Sequence, residues 1–165
     1  MKTILITSQK GGSGKTMLTA HLSVEAERSG DAPAWVIDTD RQATLTRWHE
    51  RRTPETPQRG DVRVERLAAG LATLSAQGAA YCFIDTAPTL SDQTATLIDL
   101  ADIVLIPVRP SPSDLWSVTD TVQLCEGDRE TFPLHHHPGQ ATSHHHRSGD
   151  RCTFRAWPGG QIIHF

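Results

Sequence analysis

The feature that most constrains this chain is a short apolar run that passes directly into a glycine-rich loop. Ile4-Leu5-Ile6 is followed, after Thr7-Ser8, by Gln9-Lys10-Gly11-Gly12-Ser13-Gly14-Lys15-Thr16. The run reads as a buried strand, and a helix is expected from about Lys15, with Leu18, Leu22 and Ala26 on one face. Gly30 stands where that helix needs a C-terminal cap. Glycines in such a loop let backbone N–H groups turn inward around a phosphate, and the helix N-terminus adds partial positive charge. Lys15 is then placed to reach β- and γ-phosphates, and the Thr16 hydroxyl to ligate Mg²⁺. A bare glycine-rich turn explains the glycines but not the order of strand, loop and helix. The ordinary spacing G-x-x-x-x-G-K-[ST] fails here, because its first glycine falls on Gln9. Lys10 to Thr16 instead fits a variant with two lysines in one loop.

The following hundred residues repeat the alternation. Ala34-Trp35-Val36-Ile37 reads as a strand ending in Asp38, and a short helix bearing Leu45 and Trp48 stops before Pro54 and Pro57. Val62 and Val64 alternate with Arg63 and Glu65, which predicts a half-exposed strand. Leu67, Leu71 and Leu74 predict a helix ending near Gly78. Tyr81-Cys82-Phe83-Ile84 is a third core strand ending in Asp85. Thr94 to Leu100 reads as helix, Ile103 to Val108 as a fourth core strand, and Ser113 as the N-cap of a last helix with Leu115, Val118, Val122 and Cys125. Fully apolar strands alternating with helices predict an α/β fold: a mainly parallel sheet covered on both faces.

Two strands therefore end in acids, Ile37-Asp38-Thr39-Asp40 and Ile84-Asp85-Thr86-Ala87-Pro88. In a parallel sheet these ends share an edge with the loop, where ligands bind. One aspartate at a strand end is usually a turn former. Two such ends beside a phosphate loop point instead to holding Mg²⁺ or positioning an attacking water.

The pattern breaks near residue 126. Residues 126–165 hold seven of the nine histidines, including His135-His136-His137 and His144-His145-His146, and read as an irregular His-rich tail. Consecutive histidines can bind metal, but a defined site needs spaced ligands on a scaffold. The tail's four basic and four acidic residues cancel, so the net charge of -3 belongs to residues 1–125. With no global basic excess, any contact with nucleic acid must come from a local patch. Cys82, Cys125 and Cys152 form no C-x-x-C pair, which argues against a zinc or iron–sulfur site and for a reducing, cytoplasmic setting. Neither a signal peptide nor a membrane-spanning run is expected.

On Lys10 to Thr16, Asp38, Asp40, Asp85 and the stretch Pro107-Val108-Arg109-Pro110-Ser111-Pro112-Ser113-Asp114-Leu115, residues 1 to about 125 resemble the ParA/MinD family of deviant-Walker P-loop ATPases, in particular ParA-like partition ATPases. The resemblance implies that Lys10 is the signature lysine that contacts the nucleotide of a partner subunit. Gly11, Gly12, Ser13 and Gly14 complete the nucleotide-binding loop with Lys15 and Thr16. Asp38 and Asp85 join Thr16 as the metal-site acids, and Asp40 is the acid linked to activating water. Arg41 and Ala87 stand where the family commonly has Pro. The family continues past 125 with at least one more core strand, residues that hold the base and further helices. The sequence has the His-rich segment instead and looks like the product of a reading-frame shift. The expectation is thus a P-loop ATPase domain over 1–125 whose C-terminal part is missing or replaced, leaving an open sheet edge.

The resemblance implies ATP and Mg²⁺ as ligands, an ATP-dependent homodimer, slow hydrolysis stimulated by a ParB-like partner, and a role in plasmid or chromosome partitioning, with nucleoid association through non-specific DNA contact. An inactive ATP-binding remnant and a metabolic enzyme resembling dethiobiotin synthetase are the alternatives. A redox ATPase like the nitrogenase iron protein needs paired cluster cysteines, and Cys82 lies within a core strand. MinD-type membrane placement needs an amphipathic helix, for which residues 126–165 show no pattern.

Overall fold

A computed structural model describes residues 1–89, 92–109, 111–126, 153–157 and 160–164. Its elements run β1 (Lys2–Ile6), α1 (Lys15–Arg28), β2 (Ala34–Asp38), α2 (Thr44–Glu50), β3 (Gln58–Gly60), a 3-10 turn (Val64–Arg66), α3 (Leu67–Ala76), β4 (Tyr81–Asp85), α4 (Asp92–Asp99), β5 (Ile103–Ile106), α5 (Pro112–Glu126), β6 (Thr153–Trp157) and β7 (Gly160–His164). The strands form one sheet in the order β3-β2-β4-β1-β5-β7-β6. Every pairing among β1 to β5 is parallel. This is the α/β fold with a mainly parallel sheet that the strand and helix pattern predicts.

Alternation within each strand divides the core between the two faces. Leu5, Ile37, Ile84, Val104 and Ile106 pack with Leu67, Leu71 and Leu74 of α3 and Leu97 and Ile98 of α4. Ile4, Ile6, Val36, Phe83 and Leu105 face the other way, against Ala20 of α1 and Leu45 of α2. Both faces are covered, so successive residues of β1 and β5 can all be apolar. Gly30 follows the last turn of α1 with φ of 87°, a conformation that favours glycine.

Three local expectations are corrected. The strand near Val62 lies earlier, at Gln58–Gly60, where it pairs with Trp35–Ile37 of β2. Val62 and Val64 instead pack against the α3 side of the core. A Cβ on Gly70 would meet Val62 Cγ1 at 2.8 Å, so Val62 sits directly over that helix. β5 stops at Ile106, since Pro107 has no N–H for a ladder. The last helix begins at Pro112, within which Ser113 falls, in keeping with the tolerance of the first helical turn for proline.

The fourth correction is larger. The tail is not irregular throughout: β7 pairs in parallel with β5, placing Leu105 opposite Ile163, and β6 pairs antiparallel with β7. The expected open edge of β5 is thereby covered. The signals were Ile162-Ile163 and the Pro158-Gly159-Gly160 turn sequence after a short run containing Phe154 and Trp157. They were short against a His-rich background. Both histidine triplets lie outside the described residues. Among the described residues, no helix is long and apolar enough to cross a membrane.

Candidate active site

β1 runs between β4 and β5, and its carboxyl end delivers the glycine-rich loop to the sheet edge. The Thr7 N–H donates to the Leu105 carbonyl at 3.0 Å, anchoring the start of the loop. Gly12 and Gly14 take φ of 72° and 94°, the left-handed region where a side chain is strained. Gly14 is the N-cap of α1, and no side chain caps that helix end. The first amides of α1 therefore have no intrahelical partner, which leaves them as donors suited to an anion at the loop.

Lys15 is buried, with 6% exposure, which for a lysine requires partners. Its Nζ donates to the carbonyls of Ser8 at 3.1 Å and Lys10 at 3.2 Å, across the base of the loop. Burial lowers its pKa from the usual lysine value, with Asp85 and then Asp40 pulling the other way. Lys10 is half-buried in the same loop, and its N–H donates to Ser8 Oγ at 3.4 Å.

Thr16 and Asp85 meet directly: Thr16 Oγ1 donates to Asp85 Oδ2 at 2.6 Å. Asp85 is 1% exposed, and its Oδ1 is buried without a hydrogen-bond partner. Burial pushes its pKa up to about 6, against the opposing hydrogen bond from Thr16, while Asp38 raises it further. A hydroxyl beside a buried carboxylate with one uncompensated oxygen is a donor set that fits Mg²⁺, which takes one or two protein oxygens and completes its shell with water and phosphate.

Asp38 lies opposite Asp85 in the β2–β4 register. Its Oδ1 accepts from the Asp40 N–H at 3.0 Å, and its Oδ2 accepts from the Thr46 N–H and hydroxyl at 2.9 and 3.0 Å. Both oxygens thus organise the β2–α2 connection. Asp40 Oδ1 accepts from the Gln42 N–H at 2.9 Å. Thr39 braces the same turn: its N–H and hydroxyl both donate to the Asp85 carbonyl, at 3.0 and 2.7 Å. Thr86 Oγ1 donates to the Ile6 carbonyl at 3.0 Å, tying β4 to β1 at the same edge.

The structure therefore joins Thr16 to Asp85 and holds Asp38 and Asp40 on the neighbouring strand end. Sequence reasoning missed Thr39, Thr46 and Thr86, whose hydroxyls fix the acid-bearing loops. Threonine immediately after each acid, in Asp38-Thr39 and Asp85-Thr86, was the available signal. It also gave no role to Arg109, whose Nη1 lies 3.8 Å from where a Cβ on Gly12 would stand. Ser13, Gly14, Met17, Leu18, His21, Pro107 and Val108 line an open groove of about 420 Å³ that continues from the loop.

A relative named Maintenance of carboxysome distribution protein A, from Halothiobacillus neapolitanus, is 30% identical over 134 residues, covering 79% of this chain and 61% of the relative. The solved structure of apo McdA from Cyanothece superposes with a TM-score of 0.61 at 24% identity, over 76% of this chain and 65% of that one. Cobyrinic acid a,c-diamide synthase from Mycobacterium smegmatis, solved with bound ADP and magnesium, gives a TM-score of 0.62 at 17% identity, over 76% and 66%. The chain thus spans about six tenths of the length of that curated relative. The family model described as the CobQ/CobB/MinD/ParA nucleotide binding domain matches residues 4–124, from β1 through α5, and takes in the two-lysine loop and all three strand-end acids. The chain belongs to that family.

Proposed function

We propose that this domain binds Mg-ATP and hydrolyses it slowly, acting as a dimerising switch that positions a cargo. The observation that carries the reading is the Thr16–Asp85 pair, with its unpartnered buried oxygen, beside a buried lysine at the foot of a glycine-rich loop. A nucleotide's phosphates fit the loop, where the amides of Gly11 to Thr16 and the Lys15 ammonium donate to them. Thr16 and Asp85 would hold Mg²⁺, with Asp38 behind them. The ion supplies positive charge against the phosphate oxygens. Asp40 orients the attacking water; its own N–H donates to Asp38, and Thr39 donates to the Asp85 carbonyl, which keeps the turn in place. Lys10 reaches the phosphates of the partner's nucleotide in an ATP-dependent homodimer, and its charge opposes the negative charge that develops in phosphoryl transfer.

The family assignment supports nucleotide binding. The name of the carboxysome relative supports a cargo-distributing role, with plasmid or chromosome partitioning the wider class. The reading includes a ParB-like stimulating partner and weak, non-specific DNA contact through a local patch, giving nucleoid association in the cytoplasm. The test is nucleotide titration by calorimetry, with sedimentation and phosphate release on the same preparation. Mg-ATP binding, ATP-dependent dimers and slow turnover are expected. Binding without turnover would identify an inactive remnant, and no Mg-ATP binding would refute the reading.

A further inference from the structure

Described residues after β5 lie beside the phosphate loop at both of its ends. Pro107 and Val108 line the groove beside Ser13 and Gly14. Arg109 follows, its Nη1 3.8 Å from the position of a Cβ on Gly12. Further on, Gln9 Nε2 donates to Asp120 Oδ2 of α5 at 3.3 Å, fixing the other end of the loop to the same segment. A Cβ at Gly12 would stand in ordinary van der Waals contact with the guanidinium, so Arg109 lies directly beside the loop at this glycine, whose φ is 72°. Gly11, Gly12 and Arg109 are all exposed at the mouth of the site.

The charges of the site give this arrangement a purpose. Asp38, Asp40 and Asp85 converge on the loop's edge, and within the loop only Lys10 and Lys15 are cationic. Lys15 already donates to two carbonyls at the loop's base, which leaves one of its three N–H donors for a phosphate. A magnesium nucleoside triphosphate is itself an anion, and it enters a site whose carboxylates outnumber the loop's lysines. A guanidinium at the rim offsets that excess, and its planar fork matches two phosphate oxygens at once, which an ammonium cannot do.

We propose that Arg109 is a third cation of the phosphate site, binding the phosphate chain of the nucleotide held in its own subunit's loop. This rests on the reading of the loop as a Mg-ATP site. The test compares parent, Arg109→Ala and Arg109→Lys by calorimetric titration with Mg-ATP and Mg-ADP, from about 0.05 to about 0.5 M salt. Arg109→Ala should bind Mg-ATP about tenfold more weakly than the parent at low salt. The loss for Mg-ADP should be smaller, since it carries less charge. Arg109→Lys should recover part of the affinity, and the gap between parent and Ala should narrow as salt rises. Melting of the nucleotide-free proteins should coincide, showing that the loop is intact. Mg-ATP affinity of Arg109→Ala within twofold of the parent would overturn the proposal while leaving the loop's function standing. A gap unchanged by salt would also overturn it, because a packing role does not respond to screening. A parent that binds no Mg-ATP would remove both readings together.

Discussion

Asp85→Asn separates what this carboxyl costs the fold from what it contributes to the site. Asp85 is 1% exposed, and its pKa is pushed from 3.8 up to about 6, chiefly by burial. A carboxyl that is harder to ionise in the folded state binds more protons there than in the unfolded chain. Stability therefore falls as pH rises between the two values, and the benefit of the protonated form is lost as pH passes the folded value. The full span of this effect is about 3 kcal/mol, from roughly 1.36 kcal/mol per pKa unit. Between about pH 8 and about pH 5 the parent should recover some 1.4 kcal/mol of it. Asparagine does not titrate, so the stability difference between parent and variant should move by about that amount across the interval, or by roughly 3–6 °C in Tm for a chain of this size. The assay is urea unfolding of both proteins at the two pH values, in chelator and without nucleotide. A parent-to-variant difference constant to within about 0.3 kcal/mol would refute the claim that a buried, under-compensated carboxylate sits beside Thr16. With Mg-ATP added, the parent should gain stability at neutral pH and the variant should gain much less, since Asn carries no charge for a cation.

Lys15→Ala should weaken Mg-ATP binding at least about tenfold, the loss expected of a charged hydrogen bond worth about 1.5–3 kcal/mol; calorimetric equality with the parent would remove Lys15 from the cradle. Lys10→Ala should keep nucleotide affinity but lose ATP-driven dimers and turnover, checked by sedimentation with phosphate release. Loss of binding as complete as in Lys15→Ala would contradict the assignment across the dimer. Asp40→Ala should retain Mg-ATP binding while kcat falls, because orienting water contributes little to ground-state affinity; turnover at the parent rate would reject that role. Ending the chain after residue 126 removes β7 from β5 and should give a less stable protein that associates through the uncovered edge, read by light scattering and urea unfolding.

The parts of the molecule legible in the sequence are those whose signal is local. β1, β2, β4 and β5 are buried on both faces, so each appears as an unbroken apolar run followed by a turn. The loop was readable because glycines at 12 and 14 and the Lys15-Thr16 pair are adjacent in the chain. What escaped depends on partners distant in sequence. β3 is a strand because Gln58–Gly60 lies along β2, and its three residues have no apolar alternation of their own. Val62 and Val64 alternate like a strand, yet they pack against the core cluster that holds α3. β7 is recruited by the free edge of β5, across a separation of more than fifty residues. Arg109 is adjacent to Gly12 only through the parallel order of β1 and β5.

That parallel order explains why the chemistry gathers at one edge. β1 pairs with β4 on one side and β5 on the other, in registers that set Ile6 opposite Asp85 and opposite Leu105. The loop leaving β1 must therefore pass between the acid-bearing end of β4 and the Pro107–Arg109 turn that leaves β5. β2 joins on the far side of β4, so Asp38 arrives opposite Asp85 and Asp40 two residues beyond it. Anions collect on the β4 side of the loop and the guanidinium on the β5 side. Lys15, held between them by two carbonyls, is the cation common to both halves. Leu5, Ile6, Ile84, Val104 and Ile106, all fully buried, lie beneath this edge and fix the strand ends relative to one another. The buried carboxylate with one unpartnered oxygen is thus mounted on fully buried strand ends. A cation bound at Asp85 would offset the desolvation cost of that carboxylate at the strand end itself.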